Sequence, residues 1–332
     1  FESFDENRAK PIFPDYRFGN YKDILVYNHH EAVYYSKNPH WWEVESKRAG
    51  HWKAQEPSIL WEKMLNPKAY EKYVYDAVEY IAAGDIFQAN LAHPLKLTGF
   101  SDWRDLYQKI RDHNPSPYAG VYFWDDTVIL SNSPELLCDL EAGRLRTKPI
   151  AGTRPRGNDD GADAAMKKEL FLSEKEQAEH IMLVDLERND MGRLAEYGSV
   201  DVTCLMDCES YRNVHHIVST IEAKIRKGVK NWDVLPAVFP GGTITGAPKI
   251  RSMEIIHELE DFPRGFYTGS MGWFDGNNDC ELNILIRTLQ IKGQEGVLHV
   301  GAGIVADSNP MSEYQETLAK ANAWEKALKG VE

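Results

Sequence analysis

An α+β fold built on antiparallel sheets is predicted by three features of the sequence. Short runs rich in β-branched and aromatic residues recur along the chain, and tight turns such as Asp275-Gly276 and Lys292-Gly293 join them. Segments of helical periodicity lie between these runs, without the regular strand–helix alternation of a parallel α/β protein. The 332 residues are 42% hydrophobic, so the chain can bury a large core.

The first part of the chain contains candidate strands and two candidate helices. Residues 23–36 (DILVYNHHEAVYYS) contain strand-like runs, and the aromatic stretch at 37–58 is expected to be a loop. Apolar residues recur at helical spacing between Asn66 and Gly84, which predicts a helix that ends at this glycine. IFQANLAHPLKLTGF is then typical of a strand, and SDWRDLYQKIRDHNPSP of a helix with a Ser or Asp cap.

The later segments continue this alternation. AGVYFWDDTVILSNSPELL predicts a hairpin around Asp125-Asp126, and RLRTKPIAGTRPRGNDDGAD a strand followed by a loop rich in Gly and Pro. A single long helix is predicted from about Ala164 to Asn189. Strands follow at 202–225, and residues 231–260 predict a helix, a Gly-rich turn and another helix. A run of strands occupies 265–308, before a last helix at about 310–328.

Charge and composition exclude several classes of function. The net charge of −13 argues against a nucleic-acid footprint and against binding to anionic membranes. No apolar run approaches the roughly 20 residues that span a bilayer. The four cysteines are scattered, which is typical of reduced thiols in a cytoplasmic protein. The sequence starts at Phe1 without a methionine or a signal-peptide pattern, so we expect a fragment that lacks an N-terminal part.

Two acidic pairs with the same spacing stand far apart in the chain. Glu176 and Glu179 lie three residues apart in the long predicted helix, and Glu313 and Glu316 repeat this spacing in the last helix, where Lys320 follows. Residues at i and i+3 share one face of a helix. Each pair is therefore either a solvated helix face, with Glu316 and Lys320 as a surface ion pair, or a set of carboxylate ligands for Mg²⁺.

Further motifs are open to a structural and a functional interpretation. PGGTITGAPK has neither the Walker nor the dinucleotide-binding spacing, so phosphate transfer has no support. Gly301 and Gly303 in VGAGIVADS indicate either a bend or a strand that a ligand approaches closely. Arg287 interrupts the apolar strand predicted at NILIRTL and needs an anion, either an internal carboxylate or a ligand. His215 and His216 are more typical of structural residues than of a catalyst. Together with the acidic pairs, these motifs indicate a site for a small dianion.

In their order, the motifs resemble those of the chorismate-utilising enzymes, which include the anthranilate, aminodeoxychorismate, isochorismate and salicylate synthases. The matching stretches run from about residue 66 to the end: GDIFQANL, NPSPY, SNSPELL, KPIAGTRPRG, EKEQAEHIMLVDLERND, HHIVS, FPGGTITGAPKIRSMEIIHELE, IRTL, and GAGIVADS followed by EYQET. The resemblance implies two facing antiparallel β-sheets with helices outside and the active site between them. It implies one structural unit, with residues 1–62 as a remnant of the family's N-terminal region and residues 63–330 as the chorismate-binding catalytic region.

The resemblance also implies a metal site and a set of catalytic groups. Glu179 and Glu316 match direct ligands of Mg²⁺, and Glu176 and Glu313 match partners that act through metal-bound water. Near the departing C4 hydroxyl of chorismate, the matching residues are His216, Thr243 beside it, and Glu135 as the general acid. Loss of this hydroxyl needs a proton donor, and the metal draws electron density toward the conjugated carboxylate.

Both carboxylates of chorismate have matching residues in the sequence. The resemblance implies that the ring carboxylate is received by Lys320 and by the backbone of Gly301, Ala302 and Gly303. It implies that the enolpyruvyl carboxylate is held by Tyr267 and Arg287. Gly152 and Thr153 of KPIAGT are implied to contact the substrate as well.

Gln88 in IFQANL distinguishes members of the family by their nucleophile. The isochorismate and salicylate synthases have a lysine at this position to activate water, and an amide cannot act as that base. Gln88 is therefore counted among the catalytic positions and indicates ammonia as the nucleophile, supplied by a glutamine amidotransferase subunit.

The expected product depends on motifs that point in two directions. Ala151 in PIAGT is typical of anthranilate synthases, whereas many aminodeoxychorismate synthases have a lysine there, thought to attack C2. GGTITGAPK and ELNILIRTL are more like aminodeoxychorismate synthases. We therefore expect Mg²⁺-dependent amination of chorismate to 4-amino-4-deoxychorismate, in the folate and p-aminobenzoate branch. The alternatives are anthranilate synthase component I of the tryptophan branch, which makes anthranilate and pyruvate, and a non-catalytic chorismate-binding or scaffold paralogue. The presence of Glu135 and of all four glutamates of the metal site disfavours the paralogue.

Overall fold

The structure, a computed structural model, describes residues 13–38 and 58–329. Within these residues the strands are β1 (Leu25–Asn28), β2 (Val33–Ser36), β3 (Leu60–Lys63), β4 (Gln88–Thr98), β5 (Tyr118–Trp124), β6 (Thr127–Ser133), β7 (Leu136–Glu141), β8 (Arg144–Lys148), β9 (Ile150–Pro155), β10 (Asp201–Ser210), β11 (Val214–Lys224), β12 (Gly246–Ala247), β13 (Ser270–Phe274), β14 (Cys280–Ile284), β15 (Thr288–Lys292) and β16 (Glu295–Ile304). The helices are α1 (Pro67–Ala82), α2 (Trp103–His113), α3 (Asp160–Leu172), α4 (Glu174–Gly192), α5 (Asn231–Val238), α6 (Lys249–Leu259) and α7 (Pro310–Lys329).

The strands form two large sheets in which every described pairing is antiparallel. Sheet A has the order β10-β11-β8-β7-β14-β13, and β9 also pairs with β11. Sheet B has the order β12-β4-β16-β15-β6-β5, and β3 also pairs with β4. β1 and β2 form a separate hairpin, as their strand-like runs predict. The predicted α+β fold with antiparallel sheets is confirmed.

Tight turns and separate hydrophobic cores hold the two sheets. Asp125 (φ 47°) and Gly293 (φ 59°) adopt the left-handed conformation in the turns after β5 and β15. Sheet A buries Leu140 with α4 and α5, whereas sheet B buries Leu298 with α2 and, through Trp324, with α7. Because each sheet is packed against its own helices, the side chains at the ends of β4, β11 and β16 are held in defined positions.

The single helix predicted from Ala164 to Asn189 is wrong, because the chain breaks it into α3 and α4 at Ser173. Ser173 is extended (φ −73°, ψ 100°), and its hydroxyl accepts a hydrogen bond from the backbone N–H of Glu176. A serine side chain can satisfy the first N–H groups of a helix, so it favours a helix start over a helix interior. α4 therefore begins two residues before Glu176, and the first acidic pair starts within its first turn.

The strand predicted through NILIRTL is also wrong at Arg287. Its residues are shared between β14 in sheet A and β15 in sheet B, and the chain crosses from one sheet to the other between them. Arg287 lies in this crossover with φ 49°, a conformation that ends a strand. The arginine thus stands where the two sheets meet.

Some expectations fall outside the described residues or stay predictions. The aromatic loop expected at 37–58 lies almost entirely in residues 39–57, which are outside them. The division at residue 62 stays a prediction, although β3, which spans it, pairs with β4 of sheet B. All four cysteines are free thiols, as expected. Among the helices of residues 13–38 and 58–329, none combines the length and apolar composition needed to cross a bilayer.

Candidate active site

Two glycines of β16 bring sheet B close to α4 and to the loop before β13. Gly301 and Gly303 pair with Ala92 and Asn90 of β4. A Cβ at Gly301 would lie 2.8 Å from the Tyr267 hydroxyl, and a Cβ at Gly303 would collide with the side-chain amide of Gln88. Packing therefore explains why glycine occupies these two positions, because neighbouring atoms approach the backbone so closely that a side chain has no room.

The side chain of Gln88 links sheet B to the first acidic pair. Gln88 is buried, and its Nε2 donates to Glu179 Oε1 at 2.8 Å. Its Oε1 is buried without a hydrogen-bond partner among the described residues. Burial raises the pKa of the Glu179 carboxyl, and the nearby charges of Glu316 and Glu176 add to this rise. The acidic residues of α4 and α7 thus lie near enough to repel each other.

Each of the other three glutamates has its own partner. Glu176 accepts a hydrogen bond from Arg154 Nη1 at 2.7 Å, while its Oε2 is buried without a partner in the described part of the chain. Burial raises the pKa of Glu313, which accepts from the Ser308 hydroxyl at 2.7 Å. Lys320 lies 2.9 Å from Glu316 and also donates to the Gly301 carbonyl at 2.8 Å. The Glu316–Lys320 ion pair, which belongs to the solvated-face alternative, is present, and Lys320 also ties α7 to β16.

The two acidic pairs fit a cation that keeps part of its water shell. Among residues 13–38 and 58–329, no three carboxylate, histidine or cysteine side chains converge as a compact metal cluster. Yet a buried carboxylate oxygen of Glu176 is left unpaired. The ionised form of Glu179 is disfavoured by the negative charges of Glu176 on its own helix and Glu316 on α7. Mg²⁺ prefers a few carboxylates and retained waters, so this donor set suits it better than a metal that needs a closed protein cage.

Glu135 is a buried carboxyl directly before β7. It is 4% exposed, and the backbone N–H of Ile150 donates to its Oε1 at 3.4 Å. Burial raises its pKa to about 7, although the hydroxyl of Thr243 and the charge of Arg287 oppose the rise. Near neutral pH this carboxyl is therefore partly protonated and able to donate a proton.

Arg287 stands near Glu135 without an ion pair. Among the described residues, no carboxylate oxygen lies within 4 Å of its guanidinium, and the charge of Glu135 acts on it only from a greater distance. Burial lowers the pKa of the guanidinium, which shows the cost of holding this charge away from water. Of the two anions considered for Arg287, an internal carboxylate partner is absent from the described residues, which favours a ligand.

His216 is a neutral histidine on β11. Its Nδ1 lies 3.2 Å from the Gly152 carbonyl and 3.0 Å from the Thr153 hydroxyl. Because a carbonyl can only accept, Nδ1 carries the proton, and Nε2 is left as a bare acceptor, buried and without a partner among the described residues. Burial and the charge of Arg287 lower the pKa of His216 to about 4. The neighbouring His215 instead bonds Ser210 and Asp163, as a structural histidine does.

The remaining predicted residues lie among these groups. Gly152 (φ 71°) has no room for a side chain, because a Cβ there would collide with Glu176. Tyr267 is buried, which raises the pKa of its hydroxyl to about 12. Ala302 is fully buried on β16 between the two glycines, and the Thr243 hydroxyl is buried without a hydrogen bond of normal geometry to a described residue. The predicted residues therefore line one region between the sheets, whereas their roles stay predictions.

Two polar residues of this region were missed in the sequence. Arg154 pairs with Glu176 and Glu169, and it follows Thr153 directly in the chain. Asn90 has a buried Oδ1 without a partner among the described residues. It stands two residues after Gln88 on β4, and strand alternation places i and i+2 on one face, so this signal was available in the sequence.

This part of the molecule combines an unpaired guanidinium, two acidic pairs and a partly protonated acid, a set of groups that suits a small anionic ligand. The sequence profile of the chorismate binding enzyme family matches residues 1–326, and this chain belongs to that family.

Individual relatives include two kinds of synthase. The chain is 41% identical over 333 residues to aminodeoxychorismate synthase component 1 of Bacillus subtilis strain 168, covering 95% of this chain and 71% of that protein. It is 43% identical over 268 residues to anthranilate synthase component 1 of Aquifex aeolicus, covering 81% of this chain and 54% of that protein. The crystal structure of anthranilate synthase component I from Streptococcus pneumoniae superposes with a TM-score of 0.83 at 34% identity, over 92% of this chain and 72% of that one.

Proposed function

We propose that this chain aminates chorismate to 4-amino-4-deoxychorismate, with ammonia as the nucleophile. The observation that carries the proposal is the contact of Gln88 with Glu179, in which an amide occupies the position next to the acidic pair. An amide does not take up or release a proton near neutral pH, so it cannot generate hydroxide from water. Ammonia brings its own lone pair and needs no such base.

The protonation states of the neighbouring groups suit loss of the C4 hydroxyl. Glu135, with a pKa of about 7, supplies the proton that turns the departing hydroxyl into water. His216 keeps Nε2 unprotonated and free to accept a hydrogen bond from the substrate. The Arg287 guanidinium and the Tyr267 hydroxyl hold the enolpyruvyl carboxylate, while Lys320 and the backbone of β16 receive the ring carboxylate.

Mg²⁺ would be held by Glu179 and Glu316, with Glu176 and Glu313 acting through its waters. When bound, the metal neutralises the ring carboxylate and draws electron density toward it. Gln88 fixes Glu179 by hydrogen bonding, and Arg154 fixes Glu176 in the same way.

Anthranilate synthesis is the second candidate, and Ala151 favours it. Ala151 is buried on β9 opposite Ile217, and it offers no amine to attack C2. Relatives named anthranilate synthase are about as similar to this chain as the one named aminodeoxychorismate synthase. The motifs GGTITGAPK and ELNILIRTL support the first candidate, in which ammonia itself attacks. A non-catalytic paralogue is disfavoured because Glu135 and the acidic pairs are in place.

A partner must supply the ammonia under this proposal. The relatives are named component 1, which implies a second component for those proteins. We infer a glutamine amidotransferase subunit as the partner of this chain, and a cytoplasmic location in keeping with four free thiols.

The proposal is tested by incubating the purified chain with chorismate, Mg²⁺ and nitrogen-15-labelled ammonium. We expect chorismate to disappear only when both ammonium and metal are present, and the product to contain the labelled nitrogen. A product that takes oxygen from water would indicate an isochorismate synthase. No consumption of chorismate would favour the non-catalytic paralogue.

A further inference from the structure

Glu187 is a buried carboxyl on α4 that no proposed step uses. It is 8% exposed and lies more than two turns beyond the acidic pair of the same helix. Its Oε2 lies 2.6 Å from the Thr147 hydroxyl on β8. The same hydroxyl is 2.9 Å from the carbonyl of Leu137 on β7. A short chain of polar groups therefore runs from α4 through sheet A to the strand that follows Glu135.

Leu137 lies at an irregularity of sheet A. The register of β7 shifts on both sides, so Leu137 is opposite no residue in either β8 or β14. Two residues earlier, the carbonyl of Glu135 accepts a hydrogen bond from the backbone N–H of Ile284 at 3.1 Å. The placement of the Glu135 side chain thus depends on how this bulge is held.

The direction of the hydrogen bonds from Glu187 through Thr147 to the Leu137 carbonyl depends on the protonation of Glu187. A hydroxyl carries one proton, and the Leu137 carbonyl can only accept. If Thr147 donates to that carbonyl, its contact with Glu187 is a hydrogen bond only when Glu187 is a neutral acid and donates to Thr147. If Glu187 were ionised, Thr147 would have to turn toward it and release the bulge.

The charges around Glu187 favour the neutral form. Burial raises its pKa to about 8. The contact with the Thr147 hydroxyl opposes this rise, and the negative charges of Glu135 and Asp190 add to it. Lys249 on α6 is the nearby cation, but it forms an ion pair with Asp190 and also donates to the Val238 carbonyl. Its charge is therefore already compensated, and an ionised Glu187 would lack a cationic partner of its own.

A small cavity lies beside the same residues. It has about 10 Å³ open to a water molecule, and its wall includes Thr147, Glu187 and Asp190 together with Gly241 and Gly242. These glycines directly precede Thr243, the other polar neighbour of Glu135. The surroundings of Glu187 therefore extend to the residue that precedes Thr243.

We propose that Glu187 is a positioning residue that works as a neutral carboxylic acid and holds the Glu135 bulge through Thr147 and the Leu137 carbonyl. This inference rests on the proposed function, because it concerns the placement of the proposed general acid.

The proposal is tested with variants that remove or retain the hydrogen-bond donors of Glu187 and Thr147. Glu187→Met and Thr147→Val remove one donor each, whereas Glu187→Gln keeps a donor without a carboxyl. We expect the first two to lower kcat for chorismate consumption about tenfold, as for one lost hydrogen bond, with KM little changed. They should also move the limb of the pH profile that reports Glu135, whereas Glu187→Gln should rescue both the rate and the profile. The double variant Glu187→Met/Thr147→Val should be no worse than either single variant.

Asp185→Asn on the exposed side of α4 is the matched control for charge removal. If Glu187→Gln is as damaging as Glu187→Met, the proton of Glu187 is itself required and the positioning role is wrong. Unchanged kcat and pH profile in both donor-less variants would overturn it as well. Because chorismate consumption is followed, a different amination product would refute the proposed function while leaving this result valid.

A second measurement does not need activity. The infrared difference spectrum between wild type and Glu187→Gln at neutral pH should show the carbonyl band of a protonated, buried acid. A difference spectrum with only carboxylate bands would overturn the proposal even if the chain consumed no chorismate.

Discussion

At the scale of single residues, one physical cause acts on Glu135 and His216 in opposite directions. Burial disfavours the charged form of any group, so it raises the pKa of Glu135 to about 7 and lowers that of His216 to about 4. The acid keeps its proton and the base stays without one at the same pH. A donor and an acceptor, both close enough to feel the charge of Arg287, are thus available under conditions where free carboxyls and imidazoles would both be largely unprotonated.

Arg287→Lys tests the anion site at this scale. Lysine keeps the charge but loses the planar fork that binds a carboxylate through two N–H groups. We expect chorismate to bind more weakly by about 1.5–3 kcal/mol, which is roughly a ten- to hundredfold rise in KM. Arg212→Lys, at a surface arginine that donates to the Asp112 carbonyl, is the control. An unchanged KM and kcat would mean that Arg287 does not contact the substrate.

Glu179→Gln and Glu316→Gln test the metal site. Each removes one charge from a group of mutually repelling carboxylates, so the fold should be retained while Mg²⁺ loses a direct ligand. We expect turnover to be abolished and the rise of Tm on adding Mg²⁺ to disappear. Glu174→Gln, at the exposed start of α4, should keep both. Near-full activity of either site variant without added metal would show that the acidic pairs are not the metal site.

At the scale of elements, β16 shows how a strand can carry a site without side chains. Gly303→Ala adds only a methyl group, yet that methyl would collide with the Gln88 amide and disturb its contact with Glu179. We expect a large loss of kcat with little change in the urea midpoint, because the backbone of Gly303 does not require positive φ. Gly276→Ala, where a Cβ meets nothing, is the control. Wild-type kcat in Gly303→Ala would contradict the close approach of β16 and Gln88.

The sequence predicted most elements because their signals are local. Turn residues and caps mark the hairpins and most helix ends, and periodicity separates strands from helices. Two errors share one cause. Whether Ser173 interrupts a helix, and whether Arg287 ends a strand, depends on the packing of α3, α4 and the two sheets against each other. The residues to which the family resemblance assigns a role were predicted. Glu187 lies in one of the matching stretches but was missed, because only its burial distinguishes it from a surface glutamate.

At the scale of the whole molecule, buried acids make stability depend on pH. The pKa of Glu187 is raised from its ordinary value to about 8, so the native state binds a proton that the unfolded state has lost. Its stability contribution is fully present below the unfolded pKa and is lost as pH rises through 8. Glu187→Gln removes this dependence. We expect the variant to gain stability relative to wild type between pH 5 and pH 8, by urea unfolding, reaching a few kcal/mol. A difference that does not change with pH would contradict the raised pKa.

The two sheets and the crossover between them bring Glu135 and His216 near the Arg287 guanidinium. The two candidate reactions share this arrangement and differ in their products. The central claim is that ammonia enters chorismate at C4 and that the enolpyruvyl group stays attached. It is tested most directly by measuring pyruvate and product mass together after reaction of the purified chain with chorismate, Mg²⁺ and ammonium. We predict a non-fluorescent amine that retains the enolpyruvyl group, with no pyruvate until a separate lyase is added. Stoichiometric pyruvate together with fluorescent anthranilate from the chain alone would contradict the claim.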